Sequence, residues 1–92
     1  MALGLDSTVS PSDGTVFREL DGESVLLNLE TGMYYGLDVV GTRAWQLAAQ
    51  AGCLRAVRDA LADEYDAEPA VIERDLLALA EALIGNGLWT LK

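Results

Sequence analysis

The stretch Leu27-Asn-Leu-Glu-Thr-Gly-Met-Tyr-Tyr-Gly-Leu-Asp38, followed at once by Val39-Val-Gly-Thr-Arg-Ala-Trp45, decides how this chain folds. Its two short apolar segments are separated by a turn in which Gly32 can take the left-handed conformation, the pattern of a β-hairpin. Asp38 then stands where a helix N-cap belongs. Val40, Ala44, Leu47, Ala48 and Ala51 recur behind it at helical spacing until Gly52 stops the run. The segment from Met33 to Leu37 carries two tyrosines and no lysine, proline or glutamate. Lying at the edge of its sheet, such a strand has nothing to guard it against pairing with another chain.

Upstream, Thr15 to Leu20 and Val25 to Leu29 read as strands joined by Asp21-Gly22, a strong tight-turn signal. Val25, Leu27 and Leu29 share one face of the second strand, and Leu26 and Asn28 share the other. Met33, Tyr35 and Leu37 are expected to supply the matching inner face of the third strand. Consecutive hairpins form a meander, which makes the third strand an outer one. Residues 1–14 read as a weakly patterned N-terminal segment with a short strand around Ser7 to Ser10 and a turn at Ser10 to Gly14. The domain proper is expected over residues 15–92.

Downstream the pattern is helical. Leu54, Val57, Leu61 and Tyr65 form one stripe of a second helix, with Arg55, Arg58, Asp59 and Asp63 towards water. Pro69 suits the first turn of a third helix. There Ile72, Leu76, Leu79 and Leu83 face inward and Gly85-Asn86-Gly87 ends the run. Leu88 to Leu91 are apolar enough to fold back onto the core. The order predicts an α+β domain, winged-helix-like, with an N-terminal three-stranded antiparallel sheet followed by three helices.

Composition narrows the function. The 92 residues suffice for one core, and 51% hydrophobic with 23% charged residues is a globular balance. No run approaches the ~20 apolar residues that span a bilayer, and the N-terminus lacks the basic start and apolar stretch of a signal peptide. A single cysteine, Cys53, precludes an internal disulfide and fits a reducing, cytoplasmic setting. Fifteen acids against six bases give a net charge of −9, which repels phosphate backbones and anionic lipid. There is no histidine, hence no Ser-His or Cys-His nucleophile pair.

The candidate chemical groups have simpler readings. Cys53 sits where the second helix begins, a position that can activate a thiol, but it has no histidine to act as base. Asp63, Glu64, Asp66 and Glu68 lack the glycine and alternating oxygen spacing of a calcium loop, so they read as a solvated turn. Gly85-Asn-Gly follows a helix rather than preceding one and is a C-cap, not a phosphate loop. Trp45 is core, with Gly41 allowing its helix close to the sheet. The third helix sets Glu68, Glu73, Asp75 and Glu81 against Arg74, the wrong balance for a DNA-recognition helix. Tyr34 and Tyr35 alternate, so one points outward, either as a surface aromatic or as part of a docking site.

Three pieces in order resemble the PqqD-like family, also called RiPP recognition elements. They are Leu27-x-Leu-x-x-Gly-x-Tyr-Tyr-Gly-Leu37, Val40-Gly41-x-x-x-Trp45, and Glu73-Arg74-Asp75-Leu76. The resemblance runs from about Thr15 to Leu88. Position 38, often asparagine in the family, is aspartate here; both residues cap helices.

The resemblance implies a non-enzymatic protein, without cofactor or metal, that binds the leader region of a ribosomally synthesised precursor peptide. The leader adds as a strand to the third strand, in the cleft before the third helix. Carried over to this chain, the edge comprises Met33, Tyr34, Tyr35 and Gly36, and the helical wall Val71, Ile72, Asp75, Leu76 and Leu79. Leu27 and Leu29 are expected to help floor the groove. The partners implied are the leader peptide and a leader-removing cysteine protease with its macrocyclising enzyme, as in lasso-peptide clusters. The alternative within the family is a peptide chaperone for a radical SAM enzyme, and outside it a winged-helix transcription regulator. No nucleic acid or membrane partner is implied, and the protein is expected to be a monomer.

Overall fold

Asp21 and Gly22 both adopt positive φ, 55° and 86°, and turn the chain between β2 (Thr15–Leu20) and β3 (Glu23–Asn28). This mirror-image turn matches the natural twist of two antiparallel strands. A second reversal, with Gly32 at φ 75°, leads into β4 (Met33–Leu37). The sheet order is β2-β3-β4, so β4 is an outer strand. The computed structural model describes residues 3–92; a two-stranded sheet of β1 (Val9–Pro11) and β5 (Trp89–Leu91) and three helices complete it. The helices are α1 (Val39–Ala51), α2 (Leu54–Tyr65) and α3 (Pro69–Gly85).

The strand that the sequence places last in the sheet starts and stops where expected, but the faces of β3 are reversed. Ser24, Leu26 and Asn28 point into the core, whereas Val25 and Leu29 are exposed and Leu27 is half-buried on the opposite side. Hydrophobicity misleads here because two of the inward residues are polar and fully employed. Ser24 Oγ lies 2.8 Å from Thr42 Oγ1 on α1. Asn28 donates Nδ2 to the Asn86 main-chain oxygen at 3.0 Å and accepts from the Glu30 N–H at 2.9 Å. Paired in this way, buried polar groups cost little. The outer face is left apolar, with Tyr34 opposite Leu27.

Helix α1 follows β4 without a linker because Asp38 caps it, its Oδ1 accepting the Gly41 N–H at 2.7 Å. A β-carbon on Gly41 would stand 3.1 Å from that Oδ1 and 3.3 Å from Leu37 Cδ2, so a side chain there would crowd both the cap and the strand. Trp45 lies sandwiched between Phe17 and Trp89, with ring centroids 6.0 and 5.7 Å away and planes within 10° of parallel. Stacked pairs of this kind add about 0.5–1.5 kcal/mol each beyond their buried area. They lock sheet, first helix and C-terminal strand together.

The segment ahead of β2 is built into the same core. Val9 is buried, β1 pairs antiparallel with β5, and the Leu54 and Arg55 N–H groups donate to the Ser7 and Leu5 carbonyls at 3.0 and 2.9 Å. Cys53 provides no side-chain cap for α2, so these carbonyls satisfy donors that would otherwise be orphaned at its N-terminus. Leu88 to Leu91 do return to the core, and they do so as β5, a strand too short to show a period in sequence.

Candidate functional site: an open strand edge facing a helical wall

The backbone of β4 has one side free. In a two-residue hairpin the closing pair, here Leu20 and Glu23, exchanges both hydrogen bonds. Alternation then directs the main-chain groups of Glu23, Val25 and Leu27 towards β2, and the Leu29 N–H donates to the Gly14 oxygen at 2.9 Å in the same sense. Ser24, Leu26 and Asn28 therefore bond towards β4, engaging Leu37, Tyr35 and Met33. The main-chain groups of Tyr34 and Gly36 are left pointing outward. Two N–H donors and two carbonyl acceptors stand ready in the spacing of a β-ladder.

Beside this edge lies a cleft of about 570 Å³. Its near wall is Tyr35, Gly36 and Leu37 of β4 with Asp38, and its far wall is Ile72, Asp75, Leu76 and Leu79 of α3. Val40, Gly41 and Ala44 of α1 and Leu61 of α2 close the bottom. Helix α3 runs back along β4. Its C-terminal end is tied to Asn28, the partner of Met33, while its N-terminal half faces Leu37 and Asp38. Among the described residues, the charged side chains lining the cleft are those of Asp38 and Asp75. Asp38 is engaged in the helix cap; Asp75 is exposed, with a long 3.4 Å contact to Arg74.

Of the residues singled out from sequence, Tyr35, Gly36, Ile72, Asp75, Leu76 and Leu79 come together around this cleft. Met33 opens β4 with its side chain exposed, and Tyr34 is 71% exposed on the outer face of the sheet. Val71 is exposed outside the cleft lining. Leu27 and Leu29 do not floor the groove: Leu27 lies on the face turned away from the helices and Leu29 in the turn after β3, 60% exposed. The floor is instead built from Val40, Gly41, Ala44 and Leu61. The signal for the first three was present, because a helix capped directly at the end of an edge strand must pass under that strand's groove. Leu61 gives no such signal; its helical stripe reads only as core.

The other candidates stay apart from the cleft. Cys53 is half-buried at the start of α2, its Sγ 3.6 Å from the Leu5 oxygen. Among the described residues, no group of three or more histidine, cysteine, aspartate or glutamate side chains could hold a metal ion, and no helix is long and apolar enough to cross a membrane. The bidentate pair of Arg43 with Glu64, at 2.8 and 2.9 Å, joins α1 to α2. Its hydrogen bonds hold the Glu64 carboxyl below the usual carboxylate range and raise the guanidinium.

A small α+β domain that presents an unpaired strand edge to a helical wall across an apolar cleft belongs to the class of strand-accepting modules. The particular family follows from the sequence match: the family model for coenzyme PQQ synthesis protein D (PqqD) covers residues 23–88, and the chain belongs to that family. Among solved structures it is similar to TbiB1 in complex with the TbiA(beta) leader peptide, with 39% identity over 87% of this chain and 93% of that one and a TM-score of 0.81. It is also similar to lasso peptide synthetase B1 complexed with the leader peptide, with 25% identity over 90% of this chain and 98% of that one and a TM-score of 0.81. No curated protein matches the chain.

Proposed function

We propose that this protein is a RiPP recognition element that captures the leader region of a ribosomally made precursor peptide. The leader adds as a strand to β4 and lies in the cleft before α3. The observation that carries the reading is the outward-facing main chain of Tyr34 and Gly36 beside an apolar cleft. Ladder hydrogen bonds to this edge give affinity for any extended segment, and the cleft selects among side chains. Both similar structures are leader-peptide complexes, which supports the same ligand class here.

The protein performs no chemistry on the peptide. It works by raising the effective concentration of the precursor at a partner enzyme. In the lasso reading, which the 25% identity to lasso peptide synthetase B1 favours, that partner is a leader-removing cysteine protease acting ahead of a macrocyclising enzyme in the cytoplasm. The description of the matched family favours the other reading, a chaperone for a radical SAM enzyme in cofactor biosynthesis. The genes beside the one encoding this chain discriminate between them.

The test is fluorescence anisotropy of the purified protein with two labelled peptides, the TbiA(beta) leader and the leader encoded beside this chain, each against a scrambled control. A dissociation constant of about 1 µM or tighter, roughly −8 kcal/mol, for an authentic leader alone is the expected result. Equal binding of scrambled and authentic peptides would overturn the reading.

A further inference from the structure

The far wall of the cleft is not held by the near wall. Helix α3 faces β4 across open space, so its distance from the edge strand is set by its other attachments. At the Met33 end the attachment is rigid: Asn28 bonds the Asn86 oxygen, and Leu83, Leu88 and Trp89 are buried beside it. At the Leu37 end α3 packs on α2. There Arg58, whose side chain is only 19% exposed, donates Nη1 to Glu73 Oε1 at 3.0 Å and Nε to Asp59 Oδ1 at 2.8 Å. Glu73 sits between Ile72 and the pair Asp75–Leu76, the wall residues themselves. Helix α2 is in turn fixed to α1 by Arg43 and Glu64, and α1 grows directly from β4. An ion pair at each helix junction, beside the buried packing of Leu61, Ile72 and Leu76, thus links the edge strand round to the opposite wall.

From this geometry we infer that Arg58 and Glu73 are positioning residues for peptide binding: they fix the N-terminal half of α3 at the spacing an added strand requires. The inference rests on the strand-addition reading above. The Arg58 guanidinium differs from an ordinary surface cation because it is itself largely shielded from water, though Glu73 is 40% exposed, and it tethers two helices with one side chain. Neither residue lines the cleft, so the effect is on its width and not on contact with the ligand.

The experiment has two arms. In a Cys53→Ala background, spin labels at Glu23→Cys and Ala70→Cys report the distance from the sheet to the first turn of α3 in the free protein. Glu73→Ala is expected to broaden that distribution, whereas Glu73→Gln, which keeps an acceptor for the Arg58 fork, leaves it narrow. In parallel, Glu73→Ala is expected to weaken binding of the TbiA(beta) leader and of the leader encoded beside this chain by about fivefold, with Glu73→Gln within about twofold of the parent. Thermal unfolding of each variant establishes that it is folded. An unchanged distribution in Glu73→Ala overturns the positioning role. So does equal loss of affinity in both variants, which would mean that the carboxylate touches the peptide. If the parent protein binds neither leader, the strand-addition reading fails, and the distance arm still decides whether Glu73 sets the wall.

Discussion

Asn28 on β3 and Asn86 at the end of α3, 58 residues apart in sequence, are joined by a 3.0 Å hydrogen bond from the Asn28 side chain to the Asn86 main chain. The bond ties the end of α3 to the sheet, and Asn28 is only 6% exposed. Replacing it by alanine strands the Asn86 carbonyl and the Glu30 N–H, at a cost of about 1–3 kcal/mol. Asn28→Ala is therefore expected to lower Tm by about 5–20 °C in a thermal melt. Asn86→Ala keeps the accepting main-chain oxygen and loses only an exposed contact to Ala82, so its Tm should stay near that of the parent. Equal losses in the two variants would show that the Asn86 side chain, not the bond to Asn28, holds the end of α3.

The alternation of hydrogen bonds along β4 makes two adjacent residues respond oppositely to proline. The Gly36 N–H points away from β3, and a proline on the open side of an edge strand removes no bond of the fold. The Tyr35 N–H is engaged with Leu26, so a proline there breaks the ladder. Gly36→Pro is expected to keep a cooperative melt while weakening leader binding at least about tenfold, through the lost ladder donor and the altered edge. Tyr35→Pro should fail to fold cooperatively. A Gly36→Pro protein that binds leader like the parent would show that the edge is not used. Circular dichroism and anisotropy on the two variants read both outcomes.

Much of this architecture could be read from the chain because local signals agreed with one another. Asp21-Gly22, Asp38 and Gly52 mark turns and caps whose geometry depends on a few neighbouring atoms, and the structure puts each where that chemistry requires. The faces of β3 could not be read in this way. Period-two hydrophobicity points Val25, Leu27 and Leu29 inward, yet the inward positions go to Ser24, Leu26 and Asn28. What decides is whether Thr42 and Asn86 arrive to satisfy the polar pair, and that is a tertiary fact. The resemblance places Leu27 and Leu29 at the groove, yet their side chains lie on the other face of the sheet or in the turn after it. β5 gives no strand signal because three residues are too few to show a period, and its place is fixed by Trp89 stacking on Trp45.

The corrected faces give a contrast between two leucines. Leu79 is half-buried on the cleft side of α3, and Leu27 is half-buried on the sheet's outer side. An apolar leader side chain packed on Leu79 loses much of its partner in Leu79→Ala. With up to about 1.5–3 kcal/mol at stake for a fully buried leucine, affinity should fall about tenfold or more. Leu27→Ser removes apolar surface that the cleft never sees, so leader affinity should remain within about twofold of the parent, since no ladder group or cleft contact changes. Titrations at matched folded fraction are needed, because both substitutions also cost some stability. A larger loss from Leu27→Ser than from Leu79→Ala would place the ligand on the outer face of the sheet.

The pair of Arg43 and Glu64 supplies a pH signature. Its hydrogen bonds keep the Glu64 carboxyl ionised to lower pH than a free glutamate, whose reference value is 4.5. A carboxylate with its folded pKa depressed binds fewer protons folded than unfolded, so its contribution is complete above the unfolded value and disappears as pH falls through the folded one. Glu64→Gln should therefore melt below the parent at pH 7, and the gap should stay constant down to the ordinary carboxylate range. Below about pH 4.5 the gap should narrow, closing as the parent's own Glu64 becomes protonated. Both partners are partly exposed, so added salt should shrink the gap at neutral pH as well. A gap that widens on acidification would mean that Glu64 is destabilising when charged, and that the α1–α2 tie depends on the apolar contacts of Ala44, Ala48 and Leu61 alone. Melts of the two proteins between pH 3 and 7 give the sign directly.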